Sequence, residues 1–249
     1  MSSVDPPSLA DSRRTYVLVH GSWAGGWIWS RLGPLLEATG HEVHAPTLPG
    51  LAERGDDPRG AEIGLSTHID DLLGYLERAG LERVTLVGHS YGGMVIAGVA
   101  GRAPERVSAL VYLDAFAPEP GQSCFDLVPW LPDVFAELAG GGEIAQPLDP
   151  AVLGVDDAAD ADWLRAGSTP MPVRTHREPL PGPGRPEAMP VMYVRCLRFE
   201  AFAETAARFR ALGLPVAELD SHHFAQVSRP AELADLLLAG VPARTESIA

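Results

Sequence analysis

Six short runs rich in valine, leucine and tyrosine recur along the chain: TYVLVHG (15–21), HEVHAPTL (41–48), RVTLVGH (83–89), ALVYLDA (109–115), VMYVRCL (191–197) and PVAELD (215–220). Most are continuously apolar rather than alternating, the pattern of strands buried on both faces of a parallel sheet. Helical spacing fills the intervals. Ile69, Leu72, Leu73 and Leu76 share one helix face, Thr67 and Asp70 stand in capping-box spacing, and Gly80 closes the segment. Ala231, Leu233, Ala234, Leu237 and Leu238 repeat the pattern behind Pro230, which suits the first turn of a final helix. Alternating strand and helix predict an α/β fold with a mostly parallel, doubly wound sheet.

One segment breaks the alternation. From Pro118 to Pro190 the chain is rich in proline and glycine, with GGG at 140–142 and PLPGPGRPEAMP at 179–190. Structureless loops of that length are rare in compact domains, and the segment carries apolar fragments at 124–139 and 158–167. It is predicted to be a helical lid inserted between two core strands, with Phe125, Trp130, Phe135 and Trp163 lining an apolar pocket beneath it. The expected plan is a flexible N-terminus (1–14), a core (15–117 and 190–240), the lid (118–189) and a C-terminal tail (241–249).

Composition narrows the function more than the fold. The chain has 249 residues and a net charge of −14, and all 19 basic residues are arginine. Such an acidic chain with scattered arginines has no electrostatic footprint for nucleic acid or an anionic membrane. The absence of lysine removes a phosphate-loop GK[ST] site and a Schiff-base lysine. The two cysteines, Cys124 and Cys196, imply no disulfide framework. The N-terminus MSSVDPPSLADSRR has no apolar core of signal-peptide length, and no stretch is long enough to span a membrane, so the expected setting is the cytoplasm. The eight histidines show no metal-ligand spacing, and neither a metal nor another cofactor is expected.

The chemistry begins at Gly88-His89-Ser90-Tyr91-Gly92. Glycines two residues either side of a serine, at the junction of a strand and a small-residue helix, allow a sharp turn that lifts the hydroxyl clear of the sheet. The bland alternative is a serine N-cap. A nucleophile there requires a base, an orienting acid, oxyanion donors and a pocket. The base is sought after the last strand, in LDSHHFAQVSRPAEL (219–233), where His222 and His223 adjoin. The N–H of Tyr91, the residue after the nucleophile, is one oxyanion donor. His20 and His89 are expected to brace turns through nearby backbone.

HGSWAGGWIW (20–29), GHSYGG (88–93) and the late histidine before SRPAEL resemble the α/β-hydrolase superfamily, and are similar in particular to the plant methylesterase and hydroxynitrile lyase group and its bacterial esterase relatives. The resemblance runs from about Thr15 to Leu238 and is weakest in the lid. It implies that the base is His223, five residues before Ser228, with His222 a loop-packing residue. It implies a second oxyanion donor at the N–H of Ser22, and a substrate bordered by Trp23 and Trp27. The sequence departs from the family at the acid: Phe199 occupies the usual aspartate position, with Glu200 and Glu204 nearby. A second location for the acid in the superfamily, after the strand before the lid, reads VYLDAF here. Asp114 is therefore the expected acid, because a strand-end aspartate is a costly choice for packing alone, and Glu200 is the alternative.

The expected activity is a cofactor-free serine hydrolase acting on a small or medium apolar carboxylic ester or lactone. Two alternatives compete. One is a lyase using the same residues; related lyases carry a lysine after the histidine and a threonine in the first motif, where this chain has Phe224 and Gly21. The other is a non-catalytic receptor for a small ligand on the same scaffold.

Overall fold

The computed structural model describes residues 13–242. Its strands are β1 (Thr15–Val19), β2 (Glu42–His44), β3 (Val84–His89), β4 (Val107–Leu113), β5 (Ile144–Ala145), β6 (Met171–Pro172), β7 (Val191–Cys196) and β8 (Val216–Leu219). Its α-helices are α1 (Gly33–Glu37), α2 (Leu65–Arg78), α3 (Gly92–Arg102), α4 (Cys124–Leu127), α5 (Leu131–Ala139), α6 (Ala158–Gly167), α7 (Arg174–Arg177), α8 (Ala203–Ala211), α9 (Ala225–Ser228) and α10 (Pro230–Ala239).

Six strands form one sheet in the order β2-β1-β3-β4-β7-β8, every neighbouring pair parallel. The alternation of side chains explains the unbroken apolar runs. On β1, Val17 and Val19 enter the core shared with α2 and α3, while Tyr16 and Leu18 enter the opposite core with Leu36, Leu233 and Leu237. Both faces are covered, so neither tolerates a polar stripe.

The chain steps from β1 to β2 on one side and then to β3 on the other, so the strand order reverses between β1 and β3. Loops leaving the carboxyl ends of two such strands diverge and leave a crevice. Ser22 follows β1 there and Ser90 follows β3.

Helix α3 is buried along nearly its whole length, and its small residues let it press into the sheet. A Cβ on Gly92 would lie 2.4 Å from the Val19 carbonyl oxygen. The capping expectation for α2 needs correction. The helix starts at Leu65, so Thr67 is its third residue and its hydroxyl accepts the Gly64 N–H at 3.2 Å. Asp70 instead pairs with Arg102 on the surface. Gly80 has the positive φ of a helix terminator, 63°.

Between β4 and β7 the chain forms α4 to α7 and an antiparallel pair, β5 with β6, which the helical expectation had not included. The terminal segments fall mostly outside the described residues. Arg14, at the end of the segment expected to be flexible, is held: its guanidinium donates to the carbonyls of Leu237 and Leu238. Among the described residues no helix is long and apolar enough to cross a membrane.

Candidate active site

Ser90 directly follows β3 with φ 52°, a left-handed conformation that a serine adopts only when its surroundings enforce it. They do so from β4. The Ser90 N–H donates to the Leu113 carbonyl at 3.2 Å, and the Phe116 N–H donates to the Ser90 carbonyl at 3.1 Å. Gly21 on the neighbouring loop must lack a side chain, since a Cβ there would stand 2.8 Å from Ser90 Cβ.

Asp114 is the second strained residue, with φ 41° just beyond β4. Its carboxylate is wholly buried. One oxygen accepts the Cys196 N–H at 3.1 Å; the other accepts from His223 Nδ1 at 2.7 Å. Burial pushes the Asp114 carboxyl up, and the backbone N–H of Cys196 opposes that shift by stabilising the carboxylate. Desolvation, and secondly the neighbouring His222, pull the His223 imidazole below its ordinary value. Its proton on Nδ1 faces Asp114, which leaves Nε2 as a free lone pair. Glu200 stands elsewhere. Its side chain is 77% exposed and pairs with Arg195 at 2.9 Å.

The other histidines are fixed by their bonds. His89 Nε2 donates to the His223 carbonyl at 3.0 Å, so the residue before the serine holds the loop of the second histidine. The bond expected of His89 is to backbone, but across the sheet rather than within its own turn. His20 accepts the Leu48 N–H at Nε2 and donates from Nδ1 to the Gly21 carbonyl. His222 accepts the Phe224 N–H at 3.1 Å and faces a charged cleft containing Asp156, Asp160 and Arg198.

Ser90 and His223 line one cavity of about 50 Å³. Ser22, Trp23, Phe116, Phe135, Phe199, Phe202 and His176 complete much of its wall, and Trp130 stands at it half exposed. Of the aromatic residues expected around a substrate, the structure brings Trp23, Trp130 and Phe135 to this cavity. Trp27, Phe125 and Trp163 lie outside its wall. Trp27 and Trp163 pack edge to face at 4.7 Å on the outer side of the first loop, and Trp27 borders a smaller adjoining cavity. Phe125 packs behind Phe135 at 5.6 Å. A larger cavity of about 580 Å³ lies at the opposite edge of the sheet, by Thr15 and Arg83, away from all these groups.

Sequence reasoning missed Phe116, Phe202 and His176. Phe199 stands in the sequence only as a residue that displaces the expected aspartate, yet its ring packs on His223 with centroids 4.6 Å apart. Phe116 follows the Asp114 turn by two residues, a spacing that could have marked it. Nothing in the sequence distinguishes His176.

Tyr91 heads α3, where the first N–H groups have no carbonyl in a preceding turn. Its side chain is buried, and its hydroxyl lies 2.9 Å from His68 Nδ1. Ser22 and Trp23 form the turn after β1, Trp23 with φ 59°. Ser22 and Ser90 both line the cavity at the crevice between β1 and β3, and Tyr91 directly follows Ser90. A serine hydroxyl and an imidazole held by a buried carboxylate, both at one cavity, are an arrangement that suits acyl transfer.

Comparison with known proteins came to the same scaffold. The profile of the alpha/beta hydrolase family matches residues 16–236. A carbendazim hydrolyzing esterase of Nocardioides sp. (strain SG-4G) is 42% identical over 176 residues, 66% of this chain and 72% of that protein. Salicylic acid-binding protein 2 of Nicotiana tabacum is 44% identical over 108 residues, and the chain spans only 40% of its length. An extracellular alpha/beta-hydrolase from a Paenibacillus species superposes with a TM-score of 0.76 at 25% identity, covering 92% of this chain and 100% of that one.

Proposed function

Because the chain belongs to the alpha/beta hydrolase family, we propose that it is a carboxylic ester hydrolase that works through an acyl-enzyme on Ser90. The observation that carries the reading is the 2.7 Å bond from His223 to a fully buried Asp114, in the wall of the cavity that Ser90 enters. Ser90 Oγ attacks the ester carbonyl while His223 Nε2 takes its proton. The N–H groups of Ser22 and Tyr91 receive the negative charge on the carbonyl oxygen; such a donor is worth roughly 3 kcal/mol. His223 then delivers the proton to the leaving alkoxide, and a water activated by the same nitrogen releases the acid. Asp114 keeps the imidazole in the working tautomer and stabilises its charged form.

The aromatic wall favours an apolar substrate of small or medium size. A cavity of about 50 Å³ is much smaller than the ~300 Å³ or more of an ordinary ligand pocket, so we assign the 118–189 segment the role of a lid that shifts to admit substrate. No cofactor takes part in this scheme. The two cysteines are buried and unpaired, which suits a reducing, cytoplasmic setting. A lyase with the same residues is disfavoured by Phe224 and by the absence of room for a side chain at Gly21.

A panel of p-nitrophenyl esters of rising chain length, with Ser90→Ala as control, tests the reading. Turnover that disappears in Ser90→Ala is expected, with one fluorophosphonate adduct mapping to residues 84–102. Undiminished turnover in Ser90→Ala, or an adduct that persists there, would overturn it.

A further inference from the structure

His176 sits on α7 in the segment between β4 and β7, far in sequence from Ser90. It is almost wholly buried and forms part of the cavity wall. Its hydrogen bonds fix both ring nitrogens. The Thr175 hydroxyl donates its single proton to the Pro172 carbonyl at 2.6 Å, so it can only accept from His176 Nδ1, 2.9 Å away. His176 therefore carries its proton on Nδ1, and Nε2 accepts from the Ser22 hydroxyl at 2.9 Å. The same ring stacks on Tyr91, with centroids 4.8 Å apart and planes at 22°. Phe135 packs against the same His176 ring, with centroids 4.2 Å apart.

One side chain thus touches both residues whose N–H groups would receive the oxyanion. It binds Ser22 through a hydrogen bond and Tyr91 through its ring. The first loop is moored to the same segment at two further points: Trp23 Nε1 donates to the Ala145 carbonyl at 3.2 Å, and the Thr169 N–H donates to the Trp23 carbonyl at 2.9 Å. Ser22 lies directly before Trp23, whose φ of 59° leaves the turn dependent on such outside support.

We propose that His176 is a positioning residue, which sets the Ser22 amide for the oxyanion through the Ser22 hydroxyl and so makes the oxyanion site complete only when the insertion is seated on the first loop. The proposal rests on the serine-esterase reading above. A displacement of about 1 Å in a catalytic group is enough to cost about a hundredfold in rate, and the amide of Ser22 is needed chiefly when charge has developed on the carbonyl oxygen. Loss of the bond should therefore lower kcat and leave KM nearly alone.

The test uses the full chain and compares His176→Phe, His176→Gln, Ser22→Ala and the double variant His176→Phe/Ser22→Ala. Phenylalanine keeps the ring stack and removes the acceptor; glutamine restores an acceptor oxygen. Each is measured with the best p-nitrophenyl ester and with a trifluoromethyl ketone of the same acyl chain, whose adduct with a serine carries an oxyanion. We expect His176→Phe and Ser22→Ala each to lower kcat by about tenfold to a hundredfold, with KM within about threefold. Ketone affinity should fall by the same factor as kcat/KM. The double variant should be no worse than the poorer single one, because both remove one bond, and His176→Gln should recover most of the loss. Unchanged kcat in Ser22→Ala, which leaves the fold of α7 untouched, would overturn the proposal. So would additive losses in the double variant, or ketone affinity that stays constant while kcat falls. Absence of ester turnover and of ketone binding in the unaltered protein would instead overturn the esterase reading itself.

Discussion

At Asp114 the chain places a charged group where burial is complete, and the cost is offset by two donors, His223 Nδ1 and the Cys196 N–H. An amide in its place would keep the shape and lose the charge that fixes the tautomer. Asp114→Asn is expected to lower kcat by about 10⁴ while remaining folded, and Glu200→Gln, exposed and paired with Arg195, to stay near normal; steady-state kinetics with thermal unfolding as control decides. Loss in Glu200→Gln alone would move the acid to the loop after β7. The adjoining histidines are separable in the same way. His223→Ala should lose several orders of magnitude, and His222→Ala should keep most turnover, because His222 faces the charged cleft and not the cavity. The pH profile follows from the direction of the His223 shift. Activity needs a neutral Nε2, so kcat/KM should rise with pH through one ionisation on the acid side of the ordinary histidine value, about 6.5, and be level above it. Burial is the reason for the displacement from that ordinary value. A profile still climbing above pH 8 would exclude this assignment.

Among the elements, α3 shows how small residues become a requirement. Gly92→Ala puts a methyl group 2.4 Å from the Val19 carbonyl oxygen and 2.8 Å from that of His20, backbone atoms that cannot rotate away. A loss of at least about 1–3 kcal/mol is expected, seen as a Tm lower by several degrees. Gly33→Ala in α1 is the contrasting case. Its Cβ would meet only Val43 Cγ1 at 3.8 Å, an ordinary contact, so stability should hold or rise by up to about 1 kcal/mol. Equal Tm losses in the two variants would mean that helix propensity and not close approach governs these sites. The strands were legible for the same physical reason that α3 is constrained: a parallel sheet covered on both faces leaves unbroken apolar runs. The start of α2 was less legible, because a threonine at the third helical position and one at the N-cap look alike until the backbone shows which N–H its hydroxyl accepts.

Taken as a whole, the molecule buries several histidines in neutral form, and this sets how it responds to acid. Desolvation lowers His20 and His68 to about 4 and His176 to about 3. In the unfolded chain each returns to the ordinary value near 6.5. Above pH 6.5 both states are neutral at these sites and the folded state keeps its full advantage. As pH falls through 6.5 toward 4, the unfolded chain takes up protons first and stability is lost, by up to about 3 kcal/mol for a group shifted as far as His20. Calorimetry should give a Tm that drops steadily from pH 7 to pH 4.5, with net proton uptake on unfolding at pH 5.5. Proton release there would contradict the account.

The sequence by itself determined the six strands of the main sheet, the glycine-flanked turn at Ser90, the late histidine pair and the strand-end aspartate. Each is written locally, in an apolar run, a glycine spacing or a charged residue placed where a strand must end. Tertiary structure alone decided the rest. The walls of the cavity come from the loops after β1, β3, β4, β7 and β8 and from the 118–189 insertion, so no window of sequence contains them. That is why Trp27 and Trp163, which carry the right side chains, pack against each other, while Phe199 and Phe202 close on His223. It is also why His176, unremarkable in its own segment, meets Ser22 across 154 residues. Binary patterning records which face of an element is buried; which buried faces meet is settled only when loops from separate strands are brought to one edge of the sheet.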